Sequence, residues 1–243
     1  MKKTIVGLLV LFLISGCITS AQTEDDPMSG KTVSFQTVDQ YTIVGTVWKN
    51  EKSTKPPVIL VHQLGRDRHS FDSFAKKLFS DGFTVLSYDM RGHGESTRKN
   101  GANISFTSFT ENDWKQLPHD MNAAAGFLDA DKTFIVGASI GANATLQYAA
   151  DHPFMSGMVL LSPGINYRGV DVTLATKKST VSMLVIASKE DSYSANSSQS
   201  IFSTAPISEK KLLLVENAGH GTDMFLKKPE LMDEILGWLN EHS

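Results

Sequence analysis

Five residues, Gly137-Ala138-Ser139-Ile140-Gly141, carry the clearest chemical signal in the chain. The apolar run Thr133-Phe134-Ile135-Val136 precedes them, and the helix-like run Ala142 to Ala150 follows. Strand, G-x-S-x-G, helix is the context of a nucleophile elbow, a sharp turn that presents a serine in a strained backbone conformation. Side chains on either flank of such a turn would collide, and Gly137 and Gly141 remove those collisions. Serine at its free pKa is a poor nucleophile and needs a base, for which histidine suits; a carboxylate must then fix the imidazole's tautomer. His220 fits the base, in a loop after a predicted strand and before a closing helix, whereas His242 is in the terminal tail. Glu190 and Asp191 both follow the strand predicted over Val181–Ser188, and either residue type could serve as the acid. The tetrahedral oxyanion needs two preorganised donors, and the backbone N–H of Ile140, directly after the nucleophile, is the first.

These residues need a scaffold that ends strands at one edge. Lys31–Asp39 and Tyr41–Lys49 read as a hairpin around Asp39-Gln40. Val58-Ile59-Leu60-Val61 is a continuous apolar run, the mark of a strand buried on both faces of a parallel sheet. Phe71, Phe74, Ala75, Leu78 and Phe79 share one helical face, with Gly82 closing the helix. Further strands are expected over Phe83–Tyr88, Met158–Ser162 and Lys211–Val215, and helices from Pro118, over Ala195–Thr204 and after Pro229. Repeated strand–helix units after an antiparallel opening give a mostly parallel sheet of the α/β class with helices on both faces.

The 243 residues carry a formal charge of -3 and a single cysteine. The chain is long enough for one sizeable α/β domain. No basic run or aromatic platform suggests nucleic acid, no internal disulfide can form, and no Cys/His spacing matches a zinc site. Lys2-Lys3, the apolar run Ile5–Ile14 and then Ile14-Ser15-Gly16-Cys17 follow the order of an export signal. Ile-Ser-Gly-Cys resembles the bacterial lipobox, which implies a lipidated Cys17 and attachment to a membrane of the cell envelope; the alternative is ordinary cleavage, as after Ala21, and a secreted or periplasmic protein. The expected organisation is a signal peptide at 1–16, the lipidated cysteine and a polar tether at 17–30, and a catalytic domain at 31–243.

His62-Gln63-Leu64-Gly65, Asp89-Met90-Arg91-Gly92-His93-Gly94-Glu95-Ser96, the elbow, Asp191 and His220 occur in the order of the α/β-hydrolase superfamily, each at a loop after a strand. The chain resembles that superfamily, in its esterase or dienelactone-hydrolase-like minimal form, from about Lys31 to the C-terminus. The resemblance implies an eight-stranded sheet with a small cap or none and a Ser139-His220-Asp191 triad, the family's spacing after the strand favouring Asp191 over Glu190. It points to the N–H of Leu64 as the second oxyanion donor, although Gln63 stands where His-Gly-x members carry glycine. Gln63 is therefore expected either to narrow the site or to supply a side-chain contact. His62 is expected to pack beside the oxyanion hole, and His93 to be structural.

Serine at the elbow argues against the haloalkane dehalogenases of this fold, which use aspartate there. Ile165–Thr180 is too short for a large helical cap, so the expected site is open and lined by Leu64, Ile140, and residues of the 165–180 and 222–225 loops. The implied function is a serine carboxylesterase acting on small, short-chain acyl esters, with no metal or organic cofactor. Thioesterase, amidase or peptidase, and cofactor-free perhydrolase chemistry fit the same triad. A surface-tethered binding protein without turnover is the rival of a different class.

Overall fold

The computed structural model describes residues 27–130 and 132–243, so the signal segment 1–16, Cys17 and most of the tether lie outside the described residues. Eight strands of four residues or more form the body of one sheet among the described residues. They are β1 (Lys31–Gln36), β2 (Tyr41–Trp48), β3 (Val58–Val61), β4 (Val85–Tyr88), β5 (Phe134–Ala138), β6 (Gly157–Leu161), β7 (Met183–Ser188) and β8 (Lys210–Val215). Their spatial order is β1-β2-β4-β3-β5-β6-β7-β8. β1 and β2 form the expected hairpin, β2 runs antiparallel to β4, and β3 through β8 are parallel. Two 2-residue strands, Arg98–Lys99 and Ala102–Asn103, extend the sheet beside the first residues of β2, beyond the eight strands expected.

Strand parity sorts the core. Successive strand residues face opposite sides of a sheet. Val58, Leu60, Phe134, Val136, Leu184 and Ile186 pack into one apolar cluster with Phe74, Leu78, Ile235 and Trp238, which come from helices α1 (Asp72–Ser80) and α6 (Leu231–Glu241). Ile59, Val61, Ile135, Met158, Leu160 and Val185 pack on the other face, with Met121 and Ala124 of α2 (Leu117–Leu128), Leu146 of α3 (Ile140–Asp151) and Ile201 of α5 (Ser192–Thr204). Covering both faces explains why the central strands read as unbroken apolar runs: β3, β5, β6 and β7 are buried at every position.

Because β3 to β8 are parallel, their C-terminal ends gather along one edge, where ligands bind in open α/β sheets. The segment 165–180 is more than the linker expected. It folds as a small hairpin, Asn166–Tyr167 against Val170–Asp171, followed by α4 (Thr173–Lys178). No helix among the described residues is long and apolar enough to cross a membrane.

Candidate active site

Ser139 joins β5 to α3 with φ 54° and ψ -119°, a left-handed backbone that costs a non-glycine residue about 1–3 kcal/mol. The strain is held by packing around the two flanking glycines. A Cβ on Gly137 would lie 2.5 Å from both the Gly141 carbonyl oxygen and Thr145 Oγ1. One on Gly141 would lie 2.6 Å from the carbonyl oxygens of Val61 and His62. The serine's N–H donates to the Leu161 carbonyl at 2.8 Å, tying the turn to β6.

The strand ends bring Asp191 and His220 together. Asp191 Oδ2 lies 2.5 Å from His220 Nδ1, so the carboxylate holds the imidazole through its Nδ1–H. Glu190, the alternative acid, is engaged elsewhere: its Oε2 accepts from the Ser188 hydroxyl at 2.8 Å and the Asn217 N–H at 2.7 Å. Glu190 thus ties the end of β7 to the loop after β8 and does not face the histidine.

Gln63 supplies a side-chain contact and also borders the Ser139 cavity. The residue is 6% exposed, and its amide braces the loop that carries His220. Its Oε1 accepts from the Thr222 N–H at 2.7 Å and the Thr222 hydroxyl at 2.9 Å, while Nε2 donates to the His220 carbonyl at 3.4 Å. Glycine at 221 makes room for this brace, since a Cβ there would lie 2.3 Å from Gln63 Oε1. The Gly221 N–H donates to Ser162 Oγ at 3.0 Å, a second long-range tie on the same loop.

Ser139, Ile140, Gln63, Leu64 and His220 line one cavity of about 290 Å³, with Asn166, Tyr167 and Arg168 as the remaining wall. Ile140 and Leu64, the two residues expected to supply the oxyanion donors, thus line the same cavity as Ser139. The 222–225 segment does not line this cavity; Thr222, Asp223 and Phe225 face a neighbouring groove with Arg66 and Phe74 instead.

Tyr167 and Arg168 were not singled out by the sequence, because a two-residue strand pair shows no periodicity. The one available signal was Gly169, a turn residue. The Tyr167 hydroxyl meets Ser194 Oγ at 2.9 Å, and its ring stands edge-on to His220 with centroids 6.2 Å apart, in the wall it shares with Ser139. Burial raises the Tyr167 pKa, so the phenol stays protonated and can donate.

His62 is fully buried, as expected beside the oxyanion loop. Its Nδ1 sits 2.8 Å from the Gln63 carbonyl and its Nε2 accepts from the Met90 N–H at 2.9 Å, which fixes a neutral ring with the proton on Nδ1. Burial pushes its pKa down to about 4. His93, stacked on Phe106 at 4.0 Å, is lowered to about 4 by burial and then by the neighbouring His62. Both rings pack the loops under the site, and neither lines the cavity.

The family model for serine aminopeptidases of family S33 matches residues 52–175. Among curated proteins, the chain is 26% identical over 202 residues to lipase 3 of a Moraxella species, covering 77% of this chain and 61% of that protein. It is 26% identical over 134 residues to an uncharacterized protein of Mycobacterium tuberculosis, covering 55% of this chain and 35% of that one. The chain thus spans between about a third and three fifths of the curated relatives it matches.

Among solved structures, an esterase of Pyrococcus furiosus superposes with a TM-score of 0.71 at 19% identity, covering 88% of this chain and 92% of the other. An esterase of Thermogutta terrifontis gives 0.71 at 17%, with 88% and 100% covered. A serine hydrolase of Cycloclasticus zankles gives 0.72 at 15%, with 86% and 98% covered. At these identities the likeness is one of fold: the α/β-hydrolase architecture.

Proposed function

The chain belongs to the serine aminopeptidase S33 family of α/β hydrolases, and from that premise we propose that it is a serine carboxylesterase cleaving short-chain acyl esters. Ser139 Oγ attacks the ester carbonyl while His220 Nε2 takes its proton. Asp191 holds the opposite ring nitrogen and stabilises the imidazolium as it forms. The N–H groups of Ile140 and Leu64 receive the oxyanion of the tetrahedral intermediate. His220 then protonates the departing alkoxide, leaving an acyl-enzyme on Ser139. Water activated by the same imidazole attacks that acyl group, and the second tetrahedral intermediate collapses to free acid and serine.

The observation that carries this reading is the Asp191–His220 contact on a loop that puts His220 in the same cavity wall as the strained Ser139. Esters are favoured over peptides by what else lines that wall. An aminopeptidase must bind the substrate's free ammonium, for which a carboxylate is the natural partner. No acidic residue lines the cavity, and Asp191 is committed to His220. The esterase and lipase names among the relatives point the same way.

The small cavity and the absence of a large cap in segment 165–180 support short acyl chains. Each methylene gains about 0.8 kcal/mol only while it is truly buried. A rate series from p-nitrophenyl acetate to laurate is therefore expected to peak at or below butyrate, with no jump when the ester forms micelles. Preference for the long emulsified esters would overturn the short-chain assignment.

The proposal extends to place: lipid on Cys17 holds the domain at a membrane surface. The wild type should then sediment with membranes through a high-salt wash while Cys17→Ser is released. Equal solubility of the two would reject the anchor.

A further inference from the structure

The chain has five arginines, and four of them are engaged. Arg66 pairs with Asp223 at 2.8 Å, Arg68 with Asp89 and Glu95, and Arg91 with Asp39 and Asp120 at 2.7 Å each. Arg98 donates to the Gly101 carbonyl at 3.0 Å. Arg168 makes no ion pair or hydrogen bond through its guanidinium among the described residues, and it is the one that borders the Ser139 cavity. We propose that Arg168 is an anion receptor at the mouth of this cavity and selects esters that carry a second, ionised carboxylate. The proposal rests on the esterase reading above and names its substrate class.

The backbone adds an independent observation: Arg168 sits where the turn disfavours a side chain. Tyr167 pairs with Val170 and Asn166 with Asp171, which leaves Arg168-Gly169 as a two-residue turn. Both turn residues have positive φ, 55° and 85°. Such turns favour Asn-Gly or Gly-Gly, because an ordinary side chain at the first position is strained. Arginine there carries the strain without a local hydrogen bond in return. Backbone strain of this kind clusters at ligand contacts, and this strained position borders the Ser139 cavity.

The turn is also fixed relative to the nucleophile. Asn143, fully buried one helical turn after Ser139, donates through Nδ2 to the Val170 carbonyl at 2.8 Å and accepts from the Gly164 N–H at 3.0 Å. Asn166 is held by the Tyr193 hydroxyl on both its N–H and its carbonyl, at 3.0 and 2.9 Å. The guanidinium is thereby carried on a hairpin bolted to the helix that bears the serine. Glu111 packs against Gly169, but its carboxylate pairs with Lys115 at 3.6 Å. With no acid in the cavity wall, the permanent charge at its mouth is positive. A guanidinium's planar fork matches the two oxygens of a carboxylate.

The test compares charged and neutral esters of matched shape. Mono-p-nitrophenyl glutarate against p-nitrophenyl valerate places the charge on the acyl side; 4-acetoxybenzoate against its methyl ester places it on the alcohol side. The charged-to-neutral ratio of kcat/KM for one of these pairs should fall about five- to tenfold in Arg168→Gln, the size expected of a partly wetted charge contact. Arg168→Lys should recover part of that ratio, and added salt should erode it in the wild type but not in Arg168→Gln. Equal ratios in wild type and Arg168→Gln for both pairs would overturn the receptor while leaving the esterase reading intact. If the wild type hydrolyses none of the four esters, the esterase reading fails, and calorimetric titration with glutarate decides the receptor. Binding weakened in Arg168→Gln upholds it, and equal binding in both proteins overturns it.

Discussion

Ser139 and His220 border the same cavity, yet the two loops that deliver them are built on different physics. The elbow is steric, packed against its own helix and against the end of β3. Its geometry follows from a strand that must turn into a helix, with Gly137 and Gly141 admitting backbone and side-chain atoms as close as 2.5 Å to where a Cβ would stand. The histidine loop is polar and long-range. Gln63, Ser162 and Asp191, each far from it in sequence, hold residues 220–222 through hydrogen bonds. A steric turn holds as long as its neighbours stay packed. A braced loop depends on every buried donor keeping its acceptor, because an orphaned one costs about 1–3 kcal/mol.

The largest effect expected is at the elbow. Ser139→Ala should lower kcat/KM on p-nitrophenyl butyrate by about 10⁴- to 10⁶-fold while far-UV circular dichroism stays unchanged. Near-wild-type turnover from the folded variant would remove Ser139 from the mechanism.

On the histidine side, Asp191→Asn should cost about 10³- to 10⁴-fold in kcat, since the amide cannot hold the Nδ1–H tautomer. Glu190→Gln should cost far less activity, because that carboxylate meets Ser188 and Asn217 and not His220. A reversed pattern would mean that the loop rearranges when substrate binds.

Gln63→Ala tests the brace itself. It leaves the Thr222 N–H and hydroxyl without their acceptor, which should destabilise the fold by about 1–3 kcal/mol, or roughly 2–10 °C in Tm. Through the freed His220 loop, kcat should fall by about tenfold, more than KM rises. A lowered Tm with unchanged kcat would show that the Asp191 contact alone positions His220, and would make the two loops more alike than they look.

The last effect is on stability alone and concerns the layer beneath both loops. His62 and His93 are held near pKa 4 when folded, against 6.5 as the ordinary value. Above about 6.5 both states are neutral and these rings leave stability independent of pH. As pH falls from there toward 4, the unfolded chain takes up protons that the folded chain refuses, so stability declines. Thermal melts at pH 7 and pH 4.5 should show the loss, on the order of a few kcal/mol for the two rings together. His62→Gln should reduce the slope; an unaltered slope would place the acid sensitivity elsewhere.

Much of this was open to a reader of the sequence. Val58–Val61 is a strand at those same residues, because a segment buried on both faces must be apolar throughout. The elbow could be read from five residues, because sterics permit few alternatives to glycine on either flank of Ser139. His220 could be picked out through the resemblance, whose order puts the base after Asp191 in a loop before the closing helix. What residue chemistry could not decide was direction, and for the acid only the resemblance favoured Asp191. Glu190 and Asp191 are adjacent and chemically alike, and only the path of the turn after β7 sends one toward Asn217 and the other toward His220. Gln63 was open to a side-chain contact, and its partner there is Thr222, 159 residues away. The hairpin that places Tyr167 and Arg168 in the wall is stabilised by Asn143 and Tyr193 from two separate helices. Periodicity records which face of an element is buried. It carries no record of which distant side chain will arrive to fill a loop's hydrogen bonds, and in this molecule those arrivals shape the cavity.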